Sequence, residues 1–278
     1  MTEKLDPGLY VVATPIGNLG DLTPRAADVL CRADLILAED TRVTGKLLAH
    51  VGSKRPAQRF DDHAEGRDLG AIVTRLGAEA VALVSDAGTP LISDPGYKLV
   101  RAAREAGREV RAVPGPSAAI AALSIAGLPS DRFLFAGFLP AKAKARDDAI
   151  AGLADVAATL VLYESGPRLA DCLVALSERL GDRDAVVARE LTKLHEECLF
   201  GTLADLAARY ASAPAPRGEI VLIIGPPPPP AEVADDALDA ALDAALERLS
   251  PSRAAAQVAE QLKVPRKRAY ARALERMR

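Results

Sequence analysis

Five residues that could do chemistry, Asp86, Gly88, Thr89, Ser93 and Asp94, fall inside residues 83–96, LVSDAGTPLISDPG. The apolar run 81–84 ends in Ser85-Asp86, and small, turn-forming residues follow through Pro95-Gly96. Such a run reads as a buried strand delivering a loop at its carboxyl end. In open α/β sheets that edge is where ligands bind. Gly88 allows a close approach of backbone to ligand, and Asp86 and Asp94 supply acceptors for hydroxyl or amine groups. The same residues would also make an ordinary strand-to-helix loop in which Asp94-Pro95-Gly96 starts a helix, so the rest of the chain must decide.

Other chemistries lack their residues. No Gly-x-Gly-x-x-Gly follows the first strand, no Walker-type phosphate loop occurs, and no Gly-x-Ser-x-Gly elbow appears. His50, His63 and His195 lack metal-ligand spacing, and Cys31, Cys172 and Cys198 lie far apart with no Cys-x-x-Cys. No metal site is expected, and the cysteines read as small buried hydrophobes in a reducing compartment. No apolar run reaches membrane-spanning length and Met1-Thr2-Glu3-Lys4 opens no signal peptide. A cytoplasmic protein without membrane contact is expected.

The elements that must position the loop alternate strand and helix. Strands are expected at 9–13, 35–38, 81–84 and 110–113, with a weaker one ending in Phe60-Asp61-Asp62-His63. Helices are expected after Thr23-Pro24, from Arg42 to about His50, at 69–76 and at 96–106. This alternation predicts a mostly parallel sheet. A second set continues it, with strands at 133–137, 160–163, 186–188 and 220–224. Two α/β domains are expected, 1–116 and 117–225, then a proline-rich linker at 226–234 and a basic helical module at 235–278. Pro226 to Pro230 are consecutive prolines, which neither sheet nor helix absorbs. The net charge of -3 divides unevenly: from Ser250 onward eight basic residues face Glu260 and Glu275.

Six collinear stretches then carry a resemblance: TPIGNLGDLTPRA, LILAEDTR, LVSDAGTPLISDPGYKLV, VPGPSAAIAALSIAGLPSDRF, GFLPAKAKAR and ARELTKLHEE. From about Leu9 to Ile224 the chain resembles the bacterial 16S ribosomal RNA cytidine 2'-O-methyltransferases, members of the tetrapyrrole methylase superfamily. The resemblance implies two α/β domains with S-adenosylmethionine in the cleft between them, a homodimer, and a decoding-centre cytidine of 16S rRNA in the 30S subunit as substrate. Where the family often reads His-Asp-His-Asn-Glu, this chain has Asp61-Asp62-His63-Ala64-Glu65, and Pro167 stands where a His commonly precedes Arg168.

By that resemblance Pro15, Asp86, Ala87, Gly88, Thr89, Leu91, Asp94, Ser117 and Ala118 contact the cofactor, and Tyr163 and Leu191 close over it. For Pro15, Leu91 and Leu191 plain core packing is the alternative reading. A ribose hydroxyl is a poor nucleophile that needs a base or a charge to stabilise the developing oxyanion. Glu39, Asp40, Arg42, His63 and Glu65 are candidates for that role, although Asp40 also suits a helix cap and Arg42 an ion pair with Glu39. Arg42 and the group Lys142, Lys144 and Arg146 are expected to hold RNA phosphates, as are Arg266, Lys267 and Arg268 in the tail. Two rival readings are a small-molecule methylase of the same superfamily and a non-catalytic RNA-binding protein. The intact SDAGTPLISD loop speaks against the second.

Overall fold

The computed structural model describes residues 4–228 and 234–276, and the side chains of 62–66 lie outside the described set. The chain divides into two compact units, Met1–Pro227 and Pro228–Arg278. The first opens with a parallel sheet built from β1 (Gly8–Val12), β2 (Leu35–Ala38), β3 (Ala57–Arg59), β4 (Ala80–Val84) and β5 (Val110–Val113), in the order β3-β2-β4-β1-β5. β2 and β4, LILA and AVALV, are buried at every position, as strands covered on both faces must be. Helices α1 (Pro24–Arg32), α2 (Thr41–His50), α3 (Asp62–Arg75) and α4 (Tyr97–Glu105) make the crossovers. Tyr10, Val12 and Ile36 pack under α1 and α2 on one face, and Leu9, Leu37 and Leu83 under α3 and α4 on the other. The Thr23 hydroxyl caps α1 by accepting from the Ala26 amide, with Pro24 at its first position.

One boundary differs from expectation. The third strand is Ala57–Arg59 and α3 begins at Asp62, so His63 belongs to a helix and not to a strand end. The stretch DHAEGRD holds no apolar residue larger than alanine, so no apolar periodicity marks the first turns of that helix.

After α5 (Ala118–Ile125) a second sheet forms from β6 (Phe133–Phe138), β7 (Thr159–Ser165), β8 (Asp184–Arg189), β9 (Glu197–Thr202) and β10 (Glu219–Ile224), with α6 (Ala143–Ala151), α7 (Gly166–Leu180) and α8 (Leu203–Ala211). Its order is β6-β7-β10-β8-β9. Here the expected parallel alternation fails: only β6 and β7 run parallel, and the other pairings are antiparallel. The reason is local, because β8 and β9 are joined by a short loop instead of a crossover helix. Strand β9 and helix α8 escaped the sequence reading, since ECLFGT is a half-exposed edge strand without an apolar run. The two faces of this sheet are distinct. Leu160, Leu162 and Leu222 pack against α6, α7 and α8, whereas Val161, Val186 and Val221 pack against α5 and Ile16.

The second unit is three helices, α9 (Asp235–Leu246), α10 (Pro251–Leu262) and α11 (Arg266–Glu275), around Leu238, Leu242, Val258 and small alanines. Its basic character is corrected by its own acids. Residues 228–278 hold nine basic and eight acidic side chains. Arg268, Arg272 and Arg276 form a ladder with Asp235, Asp239 and Asp243, one pair per helical turn. Arg268, expected on RNA, thus donates to Asp235 at 2.8 Å. Among the described residues no helix is long and apolar enough to cross a membrane, and no group of three or more His, Cys, Asp or Glu could hold a metal ion.

Candidate active site

Three loops at the carboxyl ends of β4, β1 and β5 are bonded into one floor. The Thr14 and Gly88 backbones exchange two hydrogen bonds, at 2.8 and 3.1 Å, and the Thr89 hydroxyl donates to the Pro116 carbonyl at 3.0 Å. A fourth loop, after β2, joins where the Asp86 carboxylate accepts from the Asp40 amide at 3.0 Å. Gly88 sits at φ +82°, and a Cβ there would stand 3.3 Å from Ile16 Cγ2. The Asp94 carboxyl is pushed up from the ordinary range, chiefly by burial and also by the Asp86 charge, against a hydrogen bond from Ser85.

The second sheet supplies the opposite wall. From β7, Tyr163 faces the site with its phenol toward Ser117 and the Ala119 amide, and burial raises its pKa. Neighbouring Glu164 shares a face with Leu160 and Leu162 by strand alternation, and so turns to the back. It is 2% exposed. Its Oε1 accepts from the Ser165 amide at 2.7 Å and pairs with Arg168 at 3.3 Å. The Cys172 thiol beside it is pushed up to about 12 by burial, with the Glu164 charge adding to the effect. Glu190, from the loop after β8, and Glu219, the first residue of β10, share Lys193, at 2.8 and 3.0 Å. The stem of Lys193 lies over Gly17, where a Cβ would come within 2.4 Å of Lys193 Cγ.

Between floor and wall is a cavity of about 370 Å³, large enough for a small-molecule ligand. It is lined by Asp86, Ala87, Gly88, Thr89, Asp94, Ala118, Tyr163 and Leu191 from the expected set, and by Glu39 from the catalytic candidates. Pro15, Leu91 and Ser117 do not line it: Leu91 packs into the core beneath the floor and Ser117 faces the Tyr163 phenol. Asp40 and Arg42 stand outside as well. Asp40 caps α2 and binds Arg42, not Glu39, at 2.5 Å, and this guanidinium holds its carboxyl well below the carboxylate range. A carboxylate so stabilised is a poor proton acceptor. The side chain of His63 lies outside the described residues, as does that of Glu65.

Sequence reasoning missed part of the second wall: Phe138, Ser165, Glu190, Gly218 and Glu219. The signal was present in backbone strain that a sequence does not display. Of the five non-glycine residues with φ in the left-handed region among the described residues, Leu91, Ser93, Glu190 and Thr192 all fall in the two loops bordering the cavity. Each such residue costs about 1–3 kcal/mol, which the surrounding structure must hold, and strain of this kind gathers at functional sites.

Residues 8–207 match the model of the Tetrapyrrole (Corrin/Porphyrin) Methylases, and 232–277 match that of the RsmI C-terminal HTH domain. A ribosomal RNA small subunit methyltransferase I of Erythrobacter litoralis is 56% identical over 98% of this chain and 96% of its own. The chain belongs to the ribosomal RNA small subunit methyltransferase I family of tetrapyrrole methylases. A further member of that family, from Mesorhizobium japonicum, is 46% identical over 98% of this chain and 93% of its own. A uroporphyrin-III-C-methyltransferase of Thermus thermophilus shares the fold, with a TM-score of 0.56 at 22% identity over 78% of this chain and 93% of that one. The cavity is accordingly the candidate active site of an rRNA small subunit methyltransferase. Methyltransferases of the superfamily use S-adenosylmethionine, and the family's substrate is RNA.

Proposed function

We propose that this methyltransferase binds S-adenosylmethionine in the cavity between its two sheets and methylates the 2'-oxygen of a decoding-centre cytidine in 16S rRNA of the 30S subunit. The observation that carries the cofactor reading is the charge of the wall. Glu39, Asp86, Asp94, Glu164, Glu190 and Glu219 line the cavity, and no Lys, Arg or His among the described residues does. Even with Glu164 turned away and Lys193 offsetting part of Glu190 and Glu219, the field there is negative. That suits a sulfonium-bearing ligand with an ammonium group, and it disfavours nucleotides carrying phosphates. S-adenosylmethionine would supply an electrophilic methyl group. The Gly88 floor and the Asp86 and Asp94 carboxylates would hold it, with Ala118, Tyr163 and Leu191 against its apolar parts. Methyl transfer to oxygen then requires alignment and exclusion of water, which loops and backbone can provide. Glu39 is the catalytic candidate that lines the cavity; Asp40 and Arg42 form a rim beside it.

The raised pKa of Asp94 gives a pH signature. A cationic ligand favours the ionised carboxylate, so binding should release a proton when Asp94 starts protonated. Affinity for S-adenosylmethionine is expected to be constant at neutral pH and to fall about tenfold per pH unit below the raised pKa of Asp94, earlier than an ordinary carboxylate would allow. Titration calorimetry across pH checks this, and Asp94→Asn should bind more weakly at pH 8 and lose the dependence.

On the RNA side, Lys142 stands at the start of α6 without capping it and is exposed together with Lys144, whereas Arg146 is half-buried with its Nε shut off from solvent. We assign phosphate contact to the two lysines, to Arg42 on the rim, and to Arg266 and Lys267 of the terminal unit. A chain ending at Pro227 should keep its cofactor affinity and bind 30S subunits at least about tenfold more weakly. With Arg266 and Lys267 as the contacts removed, this difference should shrink as salt rises, by about two phosphate contacts' worth of slope. Filter binding of both proteins across a salt series checks it. Resemblance further supports a homodimer and a cytoplasmic setting, with the cleft formed between domains 1–116 and 117–225.

A further inference from the structure

Strand β6 contains one residue too many for its partner. Phe135 stands opposite Val161, Gly137 opposite Leu162 and Phe138 opposite Tyr163, so Ala136 is extra and Gly137 takes φ +63°. In regular register residue 138 would stand opposite Glu164, on the far face. The bulge instead swings Phe138 onto the face of Tyr163, and bulges beside active sites commonly re-aim a side chain in this way. The Phe138 and Tyr163 rings lie 5.5 Å apart, and Phe135 meets Tyr163 edge-on at 4.9 Å. Phe138 lines the cavity and yet is 55% exposed.

The ring is also held. The Arg168 guanidinium donates to the carbonyl of Leu139, the next residue, and Arg168 is itself paired with buried Glu164. Beyond Leu139 the chain leads directly to exposed Lys142 and Lys144. A fixed aromatic face at the mouth of a cavity, followed by exposed cations, matches how proteins hold an unstacked nucleotide: the base on the ring, the phosphates on the lysines. We infer that Phe138 is a stacking platform for a nucleobase of the RNA substrate, the base whose ribose reaches into the cavity. This rests on the RNA-methylating function proposed above. A ribose 2'-oxygen cannot enter the cavity without its base lying at the mouth, and no polar group there needs to read the base for the ring to hold it.

The test compares Phe138→Ala, Phe138→Leu and Phe138→Trp with the wild-type protein in single-turnover methylation of 30S subunits, alongside calorimetry with S-adenosylmethionine. Loss of stacking should lower the apparent second-order rate on subunits roughly tenfold to a hundredfold in the Ala and Leu variants. Phe138→Trp should restore it, and cofactor affinity should stay within about threefold throughout. Full activity of Phe138→Leu would overturn the platform, since leucine keeps apolar cover without an aromatic face. So would a matching loss of cofactor affinity, which would place the ring in the cofactor wall, or a change of oligomeric state in sedimentation, which would place it under a second copy. An active wild type with an unaffected Phe138→Ala sinks the platform alone, whereas a wild type inactive on 30S subunits sinks the proposed function and the platform with it.

Discussion

Gly88→Val is expected to abolish measurable binding of S-adenosylmethionine while the protein still folds. At φ +82° a β-branched side chain is strained wherever it points, and its Cβ would press on Ile16 Cγ2 at 3.3 Å with the Pro116 carbonyl at 3.7 Å. The loop would relieve the strain by breaking the paired hydrogen bonds to Thr14, which carry Asp86 and Thr89 with them. The cost to stability is about 1–3 kcal/mol against a total of roughly 5–15, so the fold survives. Turnover should fall at least about a hundredfold, the scale of a misplacement of one ångström. Gly88→Ala, which adds the backbone penalty and the one Cβ contact but no branch, should lose roughly tenfold in affinity. Calorimetry and a thermal melt on the same samples separate the two effects, and normal binding by Gly88→Val would move the cofactor site elsewhere.

Glu164→Ala is expected to destabilise the protein well beyond the effect of an ordinary polar substitution. The carboxylate is buried, accepts from Ser165 and pairs with Arg168, which also holds Leu139. Removing one partner of a fully buried pair costs about 3–5 kcal/mol. The Arg168 side chain is 31% exposed and recovers part of its solvation, so about 2–3 kcal/mol is the reasonable expectation here. That corresponds to a fall in Tm of roughly 5–10 °C for a unit of this size. Glu164→Gln, which keeps the acceptor for Ser165, should lose clearly less. Equal melting temperatures for wild type and Glu164→Ala would show that the pair contributes nothing net.

How far the sequence revealed this site depends on which sheet is considered. In the first sheet, strands such as AVALV are apolar runs and their loops are written in Asp, Gly and Pro, so the floor at Asp86, Gly88 and Asp94 was readable directly. The six collinear stretches carried the resemblance, and the family followed from it. In the second sheet the positioning devices leave weaker marks. The bulge at Ala136 is one residue in FLFAGF, the Glu190 and Thr192 conformations carry no glycine to announce them, and the edge strand β9 has no apolar run. Charge misled for a different reason. Expecting Arg268 on RNA, and reading Arg272 and Arg276 as part of an uncompensated basic tail, overlooked Asp235, Asp239 and Asp243, thirty-three residues earlier, which only the tertiary fold brings opposite them. Arg146 likewise belongs to a basic run in sequence and to a half-buried position in the structure.

Delivery of a methyl group from the acidic cavity to a ribose oxygen of small-subunit rRNA is tested by single-turnover methylation of purified 30S subunits, lacking the modification, with labelled S-adenosylmethionine, followed by nuclease digestion and mapping of the mark on 16S rRNA. One labelled cytidine in the decoding centre is expected, methylated at the 2'-oxygen and therefore resistant to alkaline cleavage at that linkage. A methyl group on a base carbon, or transfer to a porphyrinogen in place of the subunit, would contradict it.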